Sequence, residues 1–454
     1  MSSTQPVVII GAGPSGLLLA KYLEQNQIPV VVYEGDPHAN HRPQGGTLDL
    51  HEDTGLLALK ETHLLEEAST MMRIEGEAMK VVDKSGKVWL DENVPEESEA
   101  SADTKNVPVG EIRGRPEIDR TDLRNLLIKS LSPSTIKWDH RITSVTALSP
   151  SSYQITFVDK PTITTPYLVG ADGTFSLVRP LLHDLKPDYS GISMYELEIL
   201  PSNLTPALEQ YIGKGALIVL DDGKALMPQM NSGRKCKIYL ALKVPFDWQK
   251  ENPLPDTNKR EWLVNLFNGW LPQAKEIIMA SQEDSIGQRK IYQFDPELTW
   301  DTDKTGVTIM GDAAHAMSPF AGEGVNQALA DALLLGQTLV PLFRPQPQSL
   351  KSASLPPFPL SLLPISPPSP SLERPTPLVE PHTSDLHKAL RGFEKKMMLR
   401  AKVEMKGSKE NMDMFFGDEP ARHLAEMLTF HGRVGMVLGW LSWPVDKIKG
   451  LFSP

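Results

Sequence analysis

The chain has 454 residues, enough for two or three domains, and its 40% hydrophobic and 23% charged residues exclude wholesale disorder. A formal charge of -11 gives no general attraction to phosphate backbones, so nucleic acid is not an expected partner. Cys236 is the only cysteine, which excludes an intramolecular disulfide, a cysteine-ligated cluster and a CxxC redox pair.

The N-terminus lacks a basic region before its apolar stretch, and that stretch is broken by glycines and a proline, so a secretory signal is not expected and the cytoplasm is. Val7 to Ile10 is a β-branched run. Gly11, Gly13 and Gly16 follow it, then the helical text LLLAKYLEQNQ, then VVVYE closing on Glu34. Strand, tight turn, helix and strand in that order form a dinucleotide-binding fingerprint. Gly11 permits the turn, Gly13 lets backbone approach a pyrophosphate, Gly16 allows close helix packing, and Glu34 is placed to bind an adenosine ribose.

Gly45 and Gly46 precede TLDLH, read as a turn entering an extended piece near the cofactor. Residues 96–110 are polar and acidic and read as an exposed excursion. In EIDRTDLRNLLIKSL, Asp119 can cap a helix with Leu123, Leu126, Leu127 and Leu131 on one stripe. Arg120 and Arg124 stand four apart there, and surface pairing with carboxylates is the alternative to a functional role. PYLVGADGTFSLVR is a short buried strand ending at Gly170, with Asp172 and Gly173 in a turn.

From about 188 to 300, short strand candidates separated by turns predict a mainly antiparallel sheet covering a ligand. Met194, Met227, Tyr239 and Phe294 are its substrate-lining candidates, although inward and outward positions cannot be separated without register. In VTIMGDAAHAMSPFAGEGVNQALADALLLG, a strand ends at Gly311-Asp312 and a helix begins near Gly322 and Gly324. Asp312 and the N–H groups opening that helix could hold a polyol and an electron-rich ring oxygen; a β-to-α turn with a capping aspartate is the alternative. Thirteen of the 39 prolines fall between Pro341 and Pro381, so the proline excess is local and reads as a flexible or polyproline II linker. VGMVLGWLSWP near the C-terminus is about half of a membrane crossing, so no stable membrane insertion is expected.

The three glycine- and aspartate-bearing motifs, in this order, resemble the FAD-dependent aromatic-hydroxylase-type (class A) flavoprotein monooxygenases. Within these, GGTLDLH resembles the tetracycline-inactivating monooxygenases and their fungal relatives. The resemblance implies an α/β fold: a Rossmann-like FAD-binding domain interleaved with a mainly antiparallel sheet substrate domain, plus C-terminal helices. The expected boundaries are 1–185 and 301–340 for the FAD-binding domain, 186–300 for the substrate domain, 341–381 for a proline-rich insertion and 382–454 for the helical region.

It further implies FAD contacts at Gly11, Gly13, Gly16, Glu34, Gly46, Arg120, Asp172, Gly173, Asp312, Gly324, Val325 and Asn326, with Pro319 and Gly322 beside the isoalloxazine. His51 either lines the substrate side of the flavin or is a hydrogen-bonded loop histidine, and His315 reads as structural. Glu323 departs from the family, where Gln is common. The proline-rich stretch is a second departure, either genuine sequence or an unspliced intron read in frame.

The implied reaction is hydroxylation of an aromatic or polyketide-like small molecule with NADPH and O2 through a flavin C4a-hydroperoxide. Baeyer–Villiger or ring-opening oxygenation and a non-catalytic FAD-binding protein are the alternatives. No metal is expected, since clustered Cys/His spacing is absent, and the chain is expected to be a monomer or weak homodimer.

Overall fold

A computed structural model describes residues 4–42, 45–93, 114–344 and 378–438, with side chains described to residue 430. Val7–Ile10 consists of four β-branched residues whose side chains are all buried, the signature of a central parallel strand. It pairs in parallel with Val30–Tyr33 on one side and Leu168–Gly170 on the other. Val307–Ile309 and Ile136–Lys137 complete the five-stranded sheet at its two edges. Helix Pro14–Gln25 buries Leu17, Leu18, Leu19 and Leu23. Helix Gly324–Phe343 lies close against it: a Cβ at Gly336 would stand 2.4 Å from the Tyr22 ring.

The second sheet has seven strands and is antiparallel except where Ala216–Asp221 pairs in parallel with Met79–Asp83. Strand Asp188–Ile199 lies between Gly287–Gln293 and Lys235–Lys243, with Lys224–Asn231 next across. Because side chains alternate along a strand, each strand feeds two cores. Tyr195, Leu197, Leu226, Ile238 and Leu240 pack on one face with residues of helices Lys259–Leu266 and Pro272–Ala280. Met194, Ile218, Ala225 and Ala241 pack on the other with Met412, Phe415 and Phe416 at the end of helix Thr383–Phe415, and with Leu424 of helix Pro420–Leu438.

Two local expectations change. Asp119 stands at the N-cap of helix Arg120–Lys129, but its carboxylate does not cap it. It accepts hydrogen bonds from Asn231 Nδ2 (3.1 Å) and the Ser232 N–H (3.2 Å), tying the helix start to the sheet instead. Helix Gly324–Phe343 runs two residues past Pro341, which leaves the Gln337 carbonyl without its usual i→i−4 donor, and Phe343 is buried against Tyr167. The acidic excursion at 96–110 and residues 345–377 of the proline-rich stretch lie outside the described residues, as does most of the apolar text near the C-terminus. Among the described residues no helix is long and apolar enough to cross a membrane.

Candidate cofactor and substrate site

Four segments leave the parallel sheet at the carboxyl ends of their strands, where open α/β sheets bind ligands. They are the Gly11–Gly16 turn, Glu34, the Gly170–Gly173 turn and the Gly311-Asp312 turn. Gly11 has φ +104°, and a Cβ there would lie 2.3 Å from the Ala171 carbonyl oxygen, so a side chain is excluded twice over. A Cβ at Gly16 would lie 2.1 Å from the Gly11 oxygen. At Gly13, Gly173 and Gly324, by contrast, a Cβ would meet nothing within 4 Å. The first two glycines serve packing, and these three leave room for a ligand against bare backbone.

Helices Pro14–Gln25 and Gly324–Phe343 both begin without a capping side-chain hydrogen bond and without an acid in the first turn. Their opening N–H groups therefore form two electropositive ends suited to anionic oxygens. Glu34 accepts from the Ala12 N–H at 2.7 Å and the Asp36 N–H at 2.9 Å, which holds its carboxylate at the mouth of the first turn. Asp312 is exposed at the end of its strand and makes no hydrogen bond or ion pair with the described residues. Two helix ends, an acid beside the first and a second acid beside the Gly311 turn match the phosphates and hydroxyls of a dinucleotide.

Asp172 is committed to its own turn, accepting from Ser176 Oγ (2.6 Å) and the Leu177 N–H (2.7 Å), while burial raises its pKa. Arg120 is exposed, and its guanidinium lies beside Gly45, near the Tyr239 hydroxyl. The arginine that reaches the first glycine turn is Arg124. At 3% exposure, it donates to the Ala12 carbonyl at 3.1 Å and to the Ala39 carbonyl at 2.6 Å. A cation inside the apolar stripe, three residues before Leu127, was the sequence signal for it.

The register of the second sheet brings three of the four substrate candidates together. Met194 pairs with Ala241, Tyr239 pairs with Glu196 on one side and Met227 on the other, and all point to the face that meets Phe320. Phe320 follows Pro319 and packs at 5.2 Å on Phe415 and 5.3 Å on Phe416. Tyr239 reaches across to the first domain, where its hydroxyl accepts from the Gly46 N–H at 3.0 Å. Phe294 does not join them. It lies in the main core of the first domain, with the Arg179 guanidinium 4.8 Å from its ring, whereas Met194, equally buried, belongs to the core beneath Phe320 and Phe415.

His51 is a hydrogen-bonded loop residue. Its Nε2 lies 2.9 Å from Asp49 and its Nδ1 3.1 Å from Glu323. Asn326 is fully buried and pins the same strand: its Oδ1 accepts from the His51 N–H and its Nδ2 donates to the Asp49 carbonyl, both at 3.0 Å. Asn326 can therefore meet a cofactor only through its backbone, whereas the Val325 side chain is partly exposed. Gly322 sits at φ +73°, and a Cβ there would approach Asp49 Oδ1 to 3.1 Å. Nothing in the local sequence joins residues 49–51 to 322–326, so this contact was not legible. His315 is buried on Asp331, a structural role as expected.

Residues 4–353 match the family model for an FAD binding domain. The chain is 31% identical over 387 residues to monooxygenase penA of Penicillium thymicola, covering 73% of this chain and 84% of that one. Among solved structures, HpxO of Klebsiella pneumoniae complexed with FAD and uric acid superposes with a TM-score of 0.67 at 18% identity, covering 97% of this chain and 98% of that one. Tetracycline destructase Tet(51) gives 0.64 at 17% identity, covering 97% and 100%. The chain therefore belongs to the FAD-dependent monooxygenases of the class-A, FAD-binding-domain family.

Proposed function

We propose that the protein hydroxylates an aromatic or polyketide-like small molecule with NADPH and O2. The observation that carries this reading is the meeting of an apolar sheet face, Met194, Met227 and Ala241, with the Pro319-Phe320 loop that leads into Gly324. Bound FAD would take two electrons from the nicotinamide and activate O2 for transfer of one oxygen atom.

The chain supplies binding, orientation and exclusion of water. Gly13 and the first N–H groups of helix Pro14–Gln25 would hold the pyrophosphate, Glu34 the ribose, and Asp312 the ribityl hydroxyls. The N–H groups of Gly324 to Asn326 would face negative charge gathering on the pyrimidine side of the ring. Tyr239, tied to Gly46, closes the seam between the two sheets. Phe320, backed by Phe415 and Phe416, gives the substrate a flat apolar wall from which water is excluded.

The test is anaerobic reduction of the bound flavin by NADPH across aromatic and polyketide-like compounds, followed by isotopically labelled O2. A compound that accelerates reduction and gains one labelled oxygen atom supports the reading. A product carrying the oxygen inside a ring or an opened ring replaces hydroxylation with the corresponding insertion. Yellow protein that no compound induces to consume NADPH overturns it.

A further inference from the structure

Glu323 occupies the N-cap of helix Gly324–Phe343, yet its carboxylate makes no capping bond. One oxygen faces His51 Nδ1 at 3.1 Å, while His51 Nε2 faces Asp49 Oδ2 at 2.9 Å. Each ring nitrogen thus has a carboxylate, and both contacts are hydrogen bonds only when both nitrogens carry protons. Burial works against the charged ring, but hydrogen bonds and charge from Asp49 and Glu323 outweigh it and push the His51 pKa up to about 9.

The other Glu323 oxygen accepts from Gln327 Nε2 at 3.3 Å, and Gln327 Oε1 accepts from Arg400 Nε at 2.8 Å. Arg400 also pairs with Asp331, which is fully buried. The second oxygen of Asp331 accepts from the Gly311 N–H at 2.8 Å and lies 2.6 Å from His315 Nε2. A single chain of polar contacts therefore runs from strand Thr47–Asp49, beneath the first two turns of helix Gly324–Phe343, to the Gly311 turn. Its central cation comes from helix Thr383–Phe415, on the far side of the proline-rich stretch.

We propose that Arg400 and His51 are positioning residues for FAD, the cations of a clamp that fixes the glycine-rich loop and the Gly311-Asp312 turn at the spacing the cofactor requires. The inference rests on the FAD site assigned above. One end finishes on the Gly311 N–H, beside the Asp312 assigned to FAD, and the other on the strand that follows Gly46, an expected FAD contact; neither cation need touch FAD itself. The clamp also sets local charge: His51 and Arg400 offset Asp49, Glu323 and Asp331, and Glu404, which Asp53 and Arg115 also act on, adds a further carboxylate that feels both His51 and Glu323. Loss of a cation should loosen the loop and leave excess negative charge beside the flavin, making it harder to reduce.

The experiment uses full-length protein and measures FAD dissociation constants and the midpoint potential of bound flavin. Variants are Arg400→Met, Arg400→Lys and His51→Gln. Lys402→Met, which breaks an exposed pair with Glu297 on the same helix, is the control. Arg400→Met is expected to weaken FAD binding on the order of tenfold and lower the potential, with Arg400→Lys in between and the control unchanged. Wild-type affinity should fall as pH rises through about 9, where His51 loses its proton, and His51→Gln should abolish that step. If Arg400→Met does not fold, Arg400→Lys and His51→Gln carry the test. Variants with wild-type affinity, potential and pH profile would overturn the clamp alone; wild-type protein without FAD affinity would overturn the site and the clamp with it.

Discussion

Alanine at Gly13 and at Gly16 should separate folding from cofactor binding within one turn of chain. At Gly16 the new Cβ would start 2.1 Å from the Gly11 oxygen and 3.3 Å from the Ala171 Cβ, so restoring ordinary contact at 3.4–4 Å requires the helix to move by more than 1 Å. Overpacking of that kind costs about 1–3 kcal/mol, and each kcal/mol lowers Tm by roughly 2–4 °C in a chain of a few hundred residues. Gly13→Ala adds a Cβ with nothing within 4 Å, so the apoprotein should melt as wild type does. Yet that methyl enters the space where a pyrophosphate would lie, and FAD affinity should drop by at least tenfold. Differential scanning calorimetry of both apoproteins, with titration of FAD by flavin fluorescence, checks the pair. Gly13→Ala with wild-type FAD affinity, or Gly16→Ala with wild-type Tm, would refute the division of labour among these glycines.

Asp312→Ala should lower FAD occupancy of the purified protein while leaving far-UV circular dichroism unchanged, because Asp312 is exposed and bonds to none of the described residues. Arg124→Met should lower both Tm and FAD affinity by stripping two carbonyls of their donor, whereas Arg120→Met should leave Tm unchanged. Burial pushes Glu394 up to about 7 against the pull of Arg391 and hydrogen bonds from Thr308 and Trp300. Since this folded value exceeds the ordinary carboxyl value, its contribution favours the fold at low pH and is lost as pH rises from about 4.5 through about 7; the gap in Tm between wild type and Glu394→Gln should change over that window.

The parallel sheet and its three motifs were legible because they are local: β-branched runs, glycines at fixed offsets and acids at strand ends all lie within about 30 residues. The substrate face was legible only as a set of candidates. Met194, Met227 and Tyr239 share a face through pairings that no single strand encodes, and a slip of one residue would have turned all three away. Phe294 reads as an equally good lining residue until its neighbour Arg179 is known. Arg120 and Arg124 differ by one helical turn, and the docking of helix Arg120–Lys129, with Leu123, Leu126 and Leu127 inward, decides which is buried.

The proline-rich stretch takes its meaning from where its two ends meet. The Val379 N–H donates to the Phe343 carbonyl at 3.0 Å, so the chain leaves and rejoins the described structure within one hydrogen bond. Both ends lie at the amino edge of the parallel sheet: Phe343 packs on Tyr167, just before strand Leu168–Gly170, and Glu380 accepts from the Gln5 N–H, just before Val7–Ile10. The glycine and aspartate motifs all lie at the opposite, carboxyl edge. With its ends held this close, helix Thr383–Phe415 brings Arg400 to Asp331 and Phe415 to Phe320 from the far side of the stretch.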